Sequence, residues 1–153
     1  MNPETRLCWM PLSDKLTELR QACLLEHVAP PHWDRVENIA GAGTPDLSWS
    51  WNGVEGHIEL KYRLEWPVNP LTGVRIESVT PHQRLWWRER WRAGGNIYVM
   101  VRLGEFYFLF EGDWAARHLG DATREQWLDA AVLCVSRRGL NAAEVLSKAR
   151  RRP

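Results

Sequence analysis

Two carboxylates and one ammonium group are spaced so that a β-hairpin brings them together. Asp46 ends the segment Gly43-Thr44-Pro45-Asp46 and begins a run of alternating apolar residues, and Glu59 and Lys61 lie in a second apolar run. Asn52-Gly53, between the two runs, is a strong signal for a two-residue hairpin turn. Residues two apart in a strand share a face, so Glu59 and Lys61 leave the same side of the predicted sheet, close to Asp46.

These residue types suit metal-assisted hydrolysis of a phosphodiester bond. Mg²⁺ prefers oxygen ligands, which Asp46, Glu59 and the backbone carbonyl of Leu60 can supply, and we expect Mn²⁺ to substitute. Lys61 can orient or activate the attacking water and offset the developing charge on the phosphate. The alternative is an ion pair on a sheet surface, because Glu-x-Lys alone is very common.

The hydrophobic periodicity predicts an α/β fold built around a mixed central sheet. A helix between the third and fourth strands allows those two strands to lie parallel in one sheet. Three widely spaced cysteines, an odd number, argue against a disulfide framework and against a zinc site. The predicted elements are a helix over 13–27, strands over 33–39, 46–51 and 56–62, a helix over 81–92, strands over 96–102 and 105–110, and helices over 113–118, 123–135 and 141–150.

The helix predicted over residues 81–92 has two distinct sides. At about 100° per residue, Gln83 shares the sheet-facing side with the tryptophans, and the arginines Arg84, Arg88 and Arg92 form an outer stripe. Gln83 is therefore expected to face the sheet. The alternative role for Gln83 is a glutamine that only caps the first turn of the helix.

Basic residues are concentrated near the end of the chain. Residues 137–153 contain six basic residues and one acidic residue, although the net charge of the whole chain is only +1. Lys148, Arg150 and Arg151, together with the outer arginine stripe, are candidates for contacts with DNA phosphates. The alternative is a solvated chain terminus.

The pattern Gly43-Thr44-Pro45-Asp46, followed by Glu59-Leu60-Lys61, resembles the PD-(D/E)xK nuclease superfamily. Thr80-Pro81-His82-Gln83 with Trp86-Trp87 resembles its VRR-NUC branch, which includes small phage-encoded nucleases. The resemblance implies a restriction-endonuclease-like fold, with a mixed sheet flanked by helices in a nuclease core over residues 1–112 and a helical C-terminal extension over residues 113–153. It also implies metal ligation by the Asp and Glu, a catalytic Lys, and a Gln that points back to the site.

The superfamily also places an acidic residue on its first helix. Glu18 is the preferred match, Asp14 lies one turn earlier on the same face, and Glu26 is a third candidate. Glu37, on the strand predicted before Asp46, is a further candidate for approaching the site, or else pairs with a neighbouring arginine.

The resemblance implies an endonuclease acting on branched or structured DNA, as Holliday-junction resolvases do. Cleavage of a junction requires two symmetric active sites, which implies a homodimer. The alternatives are another DNA nuclease, such as an exonuclease, a nickase or a restriction-like cutter, and a catalytically silent DNA-binding module on the same fold.

Size and composition are those of one ordinary domain. The chain has 153 residues, of which 44% are hydrophobic and 25% charged. No run approaches the roughly 20 apolar residues of a membrane helix, and the first residues lack the apolar core of a secretory signal. We therefore expect no membrane contact and a cytoplasmic location, in a bacterial host cell if the protein is phage-encoded.

Overall fold

Helices and strands follow one another in an order close to the predicted one. The computed structural model describes residues 2–36 and 45–152. The elements are a π-helical turn Thr5–Trp9, α1 Met10–Leu25, β1 His32–Arg35, β2 Leu47–Trp51, β3 Val54–Arg63, α2 Pro81–Arg92, β4 Ile97–Leu103, β5 Phe106–Glu111, α3 Gly112–His118, α4 Arg124–Ala130, β6 Leu133–Ser136, a 3₁₀ turn Arg137–Gly139 and α5 Ala142–Lys148.

Six strands form one mixed sheet in the order β1-β2-β3-β4-β5-β6. Only the central pair, β3 and β4, is parallel, and each other neighbouring pair is antiparallel. Helix α2 connects the parallel pair, because parallel neighbours need a crossover whereas antiparallel ones need only a short turn. The predicted α/β fold with a mixed central sheet flanked by helices is confirmed.

The hairpin between β2 and β3 is the one that Asn52-Gly53 predicts. Asn52 and Gly53 have φ values of 50° and 78°, the left-handed backbone of a two-residue hairpin turn. The resulting register pairs Leu47 with Ile58. Leu47 is the first residue of β2, so β3 continues past the Leu47–Ile58 pair without a partner in β2. The backbone of Leu60 is therefore free to bond Asp46.

Each face of the sheet has its own hydrophobic core. On one face, Leu60 and Met100 of the sheet pack in one cluster with Leu16 of α1 and Val145 of α5. On the other face, Val99, Val101 and Phe108 pack with Trp87 of α2 and Trp127 of α4. Glu59 and Lys61 alternate with Leu60 along β3, so they point to the second face, which α2 covers.

The N-terminal helix begins earlier than the prediction of residue 13. Helix α1 begins at Met10, and the π-helical turn Thr5–Trp9 extends it further towards the N-terminus. Pro11 is the second residue of α1 and directly follows the π-helical turn, whose hydrogen-bond spacing differs from that of an α-helix. In the described part of the chain, no helix combines the length and apolar character needed to span a membrane.

Two further predicted elements differ in the structure. The strand predicted over 33–39 is confirmed only as His32–Arg35, and residues 37–39 lie outside the described ones. The helix predicted over 123–135 is wrong at its end, because α4 ends at Ala130 and Leu133–Ser136 is strand β6, paired with β5. A short apolar run does not distinguish a helix from a strand, and here the free edge of β5 decides. The part of the chain after residue 112 thus adds a strand to the sheet as well as helices, while the division at residue 112 stays a prediction.

Candidate active site

Asp46 directly precedes β2 and lies next to the part of β3 that β2 does not pair. Its Oδ2 accepts a hydrogen bond from the backbone N–H of Leu60 at 2.9 Å. The N–H and C=O of one strand residue point towards the same side, so the Leu60 carbonyl faces the same edge as Asp46. The predicted approach of Asp46 to β3 is therefore present in the structure.

Glu59 and Lys61 form a buried pair on β3. Their side chains are 4% and 3% exposed, and Lys61 Nζ lies 3.4 Å from Glu59 Oε1. The ammonium also donates to the carbonyl of Ser78 at 2.8 Å and to Gln83 Oε1 at 3.1 Å. This burial excludes the alternative of an ion pair on a solvated sheet surface.

Gln83 fills both of the roles considered for it. Its backbone N–H donates to Thr80 Oγ1 and its Oε1 accepts from the Thr80 N–H, a reciprocal capping box at the start of α2. Its Nε2 donates to Glu59 Oε1 at 3.1 Å, while its Oε1 also accepts from Lys61. One side chain therefore caps α2 and ties it to both charged residues of β3.

The carboxylate of Glu59 is buried close enough to Asp46 to be affected by its charge. Burial, and secondly the negative charge of Asp46, raise the pKa of Glu59 to about 9, although Lys61 acts in the opposite direction. Glu59 Oε2 is buried and has no hydrogen-bond partner in the described part of the chain. An unpartnered buried carboxylate oxygen is costly, and a cation between the two carboxylates removes that cost.

The donor set fits a hard divalent cation. Asp46, Glu59 and the Leu60 carbonyl offer oxygen atoms only, as Mg²⁺ and Mn²⁺ prefer. The described residues contain no cluster of three or more His, Cys, Asp or Glu side chains arranged to hold a metal.

The acids expected from the first helix lie elsewhere. Glu18 is exposed and pairs with Lys15 at 3.3 Å, and it lines a cavity with Leu140 that contains no residue of the carboxylate site. Asp14 and Glu26 are exposed as well. Choosing Glu18 as the site acid is therefore wrong in location, and Glu37 lies outside the described residues.

Glu4, upstream of the predicted first helix, lies beside Asp46. It lines a small cavity of about 50 Å³ together with Asp46 and Leu60. Ser78 Oγ donates to Glu4 Oε1 at 2.6 Å, and the carbonyl of Ser78 accepts from Lys61. Sequence reasoning missed Glu4 because it precedes the predicted helix start by nine residues. The only available signal was an acid upstream of Pro11 that a longer helix would bring to the sheet.

Arg35 was also missed, and it lies at the rim of the same cavity. Its Nη2 donates to Thr5 Oγ1 at 2.8 Å, and its guanidinium lies 5.3 Å from the centre of the Trp9 ring. These contacts hold the positively charged guanidinium of Arg35 at the cavity that Asp46 also lines. A guanidinium at this position can bond a phosphate that approaches the carboxylates.

The basic residues predicted to contact DNA fall into two groups. Arg84 does not belong to an outer stripe: it donates to the backbone carbonyls of Ala115, Ala116 and Leu119 at the end of α3. Positive charge there complements the C-terminal end of the helix dipole. Arg88 and Arg92 are exposed on α2 as predicted.

The C-terminal basic residues divide in the same way. Arg151 stacks on Trp91 at 4.2 Å, donates from its side chain to the Trp91 carbonyl, and donates from its backbone to Asn96 Oδ1. It therefore fixes the end of the chain to α2 and to the loop before β4. Arg150 is exposed and Lys148 is half-buried, so they remain candidates for contacts with phosphates.

Comparison with known proteins supports the fold. No protein-family model and no curated protein matches the chain. Among solved structures, the chain is similar to Hjc, a Holliday junction resolvase from the archaeal hyperthermophile Archaeoglobus fulgidus. The match has a TM-score of 0.52 and 17% sequence identity, and it covers 90% of this chain and 97% of that one. The chain therefore has a restriction-endonuclease-like fold, a mixed α/β sheet flanked by helices.

Proposed function

We propose that the protein is a Mg²⁺-dependent nuclease that hydrolyses phosphodiester bonds in DNA, with Mn²⁺ able to substitute. One observation carries this proposal: Asp46 is bonded to the backbone of Leu60, between buried Glu59 and buried Lys61, and Lys61 is held to Glu59 directly and through Gln83. A buried carboxylate with one unpartnered oxygen is unfavourable as a purely structural feature, and it is suited to a cation.

Asp46, Glu59 and the carbonyl of Leu60 are the proposed metal ligands, and Glu4 is the proposed additional acid. When bound, the ion supplies Lewis acidity at a phosphoryl oxygen and lowers the pKa of a coordinated water. Glu59 must lose its proton to act as a ligand, and Gln83 and Lys61 both donate towards the oxygen Oε1. This leaves Oε2, the unpartnered oxygen, for the metal.

Lys61 is the proposed catalytic cation. Its ammonium is fixed by Ser78, Gln83 and Glu59, so it needs no reorganisation to act. A preorganised positive charge in a water-excluded position stabilises the negative charge that develops on the phosphate. Its three N–H donors are taken by these three acceptors, so its proposed role is electrostatic.

The proposed substrate is branched or structured DNA. The support is the fold shared with Hjc, which is a Holliday junction resolvase. Symmetric cleavage of a junction requires two active sites, so the proposal includes a homodimer. Membership of the VRR-NUC branch and a phage origin stay predictions.

A cleavage assay tests the proposal. Four-way junctions, nicked and supercoiled plasmid, and linear duplex are incubated with the protein in Mg²⁺, in Mn²⁺ and in EDTA. We expect cleavage of the junction with either metal and none in EDTA. Random nicking of the plasmid would instead identify a nickase, and degradation from the ends of the linear duplex would identify an exonuclease.

Three variants assign the activity to the site. Asp46→Asn and Glu59→Gln should lose cleavage while still binding DNA, because each removes one metal ligand. Glu55→Gln is the matched control, since Glu55 is an exposed acid of the same strand whose carboxylate accepts from Ser50 Oγ. Binding of the junction without cleavage by the wild-type protein in either metal would identify the silent DNA-binding module and refute the nuclease.

A further inference from the structure

A second, larger cavity opens directly beside the candidate active site. It has a volume of about 610 Å³, within the range of sites that bind small organic groups. Glu4 lines both this cavity and the small one that contains Asp46. Ser78, whose carbonyl accepts from Lys61, lines it as well. The cavity therefore adjoins the small cavity that Asp46 lines, beside the site of the proposed cleavage.

The walls of the cavity are held in place without a ligand. Arg63, at the end of β3, donates from Nε to the carbonyl of Glu65 and from Nη1 to the carbonyl of Arg75, both at 2.7 Å. Glu4 and Ser78 close another part of the wall through their 2.6 Å hydrogen bond. Two segments of the β3–α2 loop and the N-terminal turn are thus fixed around one space, which lowers the entropic cost of binding.

The charge of the lining argues against a phosphate as the occupant. Three carboxylates line the cavity, from Glu4, Glu65 and Glu77, against two guanidinium groups, from Arg63 and Arg75. This excess of negative charge disfavours a phosphate. It suits a neutral ring with amino and carbonyl groups on its edge, since carboxylates accept from base amino groups and guanidinium groups donate to base acceptors.

The lining also offers a surface for stacking. Tyr62, at the end of β3, lines the cavity and is half-buried because it also packs against the core of the first face. Arg75, whose guanidinium is planar, is an exposed residue of the facing loop that also lines the cavity. Bases that have left the duplex are commonly bound by aromatic stacking and by hydrogen bonds to their exposed edge.

We propose that this cavity binds an unpaired nucleobase next to the scissile phosphate, so that the enzyme selects DNA whose bases are unpaired beside the cut. The inference rests on the proposed nuclease function and adds a source of selectivity to it. A paired base must leave its partner and the stack before it can enter the cavity, and this unpairing and unstacking costs free energy. For a base that is already unpaired, the cost is smaller. A preference for structured DNA that exposes an unpaired base beside the cut then follows from one protomer's own residues.

The first test compares cleavage of matched substrates. Once the cut positions on a four-way junction are mapped, duplexes are made that are identical except for one unpaired base beside the cut. In Mg²⁺, we expect kcat/KM for the unpaired substrate to exceed that for the paired one by about tenfold or more. Equal values would overturn the assignment of the cavity and leave the nuclease itself intact.

Variants of the lining show whether the cavity causes the preference. Tyr62→Ala and the double variant Arg75→Ala/Glu77→Gln should bring the ratio of the two kcat/KM values close to one. The double variant changes only exposed side chains, so it keeps the test valid if Tyr62→Ala does not fold. Phe106→Ala is the control, because Phe106 is a half-exposed aromatic residue outside the cavity. An unchanged ratio in the folded lining variants would refute the proposal.

A binding measurement separates this inference from the proposed function. With Ca²⁺ in place of Mg²⁺, 2-aminopurine at the unpaired position should change its fluorescence on binding to the wild-type protein, and much less with the double variant. A protein that gives this signal yet cleaves no substrate would refute the proposed nuclease and still support the cavity. A protein that cleaves, but whose wild-type and double-variant forms give the same signal, would overturn the cavity.

Discussion

Gln83 Nε2 donates to Glu59 Oε1 at 3.1 Å, so the first turn of α2 is bonded directly to the middle of β3. The same side chain accepts from Lys61 and from the N–H of Thr80. The position of both charged residues of β3 therefore depends on the same contacts that start the helix. The effect of Gln83 on the site can be separated from its effect on helix stability, because Gln126 makes the same capping box with Thr123 outside the site.

Gln83→Ala should lower kcat by about tenfold to a hundredfold, because Glu59 and Lys61 lose the group that aligns them. The matched control is Gln126→Ala, since Gln126 makes the same capping box with Thr123 at the start of α4. In thermal or urea unfolding Gln126→Ala should lose about 1 kcal/mol, and Gln83→Ala should lose more, because it also removes hydrogen bonds to buried Glu59 and Lys61. A fall in kcat of equal size in Gln126→Ala would show that Gln83 acts only through helix stability.

Glu4→Gln should weaken Mn²⁺ binding, measured by calorimetry without DNA, by about tenfold or more, as removal of ligating or neighbouring groups does. Glu18→Gln should leave it unchanged, because Glu18 pairs with Lys15 and lines a different cavity. The reverse result would restore the sequence-based choice of Glu18 and remove Glu4 from the site.

The metal-free protein should lose stability as the pH rises from about 4.5 to about 9. The pKa of Glu59 is raised from its ordinary value of 4.5 to about 9 by burial and by Asp46, so over this range the folded state holds a proton that the unfolded state has released. The folded-to-unfolded ratio then falls by up to about tenfold per pH unit on account of this group, and the fall stops above the folded pKa.

Urea unfolding in EDTA at a series of pH values measures this effect. Glu59→Gln carries no titrating group at this position. The free energy of unfolding of the wild type, minus that of the variant, should therefore decline as the pH rises across the range. Saturating Mg²⁺ should reduce the decline in the wild-type protein, because the ion binds the ionised carboxylate. A constant difference between the two proteins from pH 5 to pH 9 would mean that Glu59 titrates near its ordinary pKa.

The basic residues should separate into those that bind DNA and those that hold the fold. Arg88→Gln/Arg92→Gln and Lys148→Gln/Arg150→Gln should each reduce the salt dependence of DNA binding, by up to about 0.9 in logarithmic slope for every phosphate that the variant no longer neutralises. Arg84→Gln and Arg151→Gln should instead lower Tm, since their side chains bond backbone carbonyls and Arg151 stacks on Trp91. An unchanged slope for the Lys148/Arg150 variant would identify that region as a solvated terminus.

Local signals in the sequence determined the central part of the fold and most of the site. Asn52-Gly53 specified the hairpin because few other residue pairs adopt its backbone angles, and the hairpin fixed the register that places Asp46 beside Leu60. The spacing of two between Glu59 and Lys61 fixed their common face. Thr80-Pro81 and Gln83 specified the start of α2 through its capping box.

Tertiary packing decided what these local patterns left open. Arg84 and Arg88 lie four residues apart on α2, yet Arg84 turns to the carbonyls at the end of α3, whose position is not encoded in the helix itself. Glu4 reaches the site only because the N-terminal turn packs over the sheet, where Cys8 Sγ bonds the Lys61 carbonyl and Tyr107 Oη bonds the carbonyl of Leu7. These two hydrogen bonds join residues that are separated by 53 and by 100 positions in the chain. Contacts over such separations leave no periodic pattern in the sequence, so only the folded chain shows which acid lies beside Asp46.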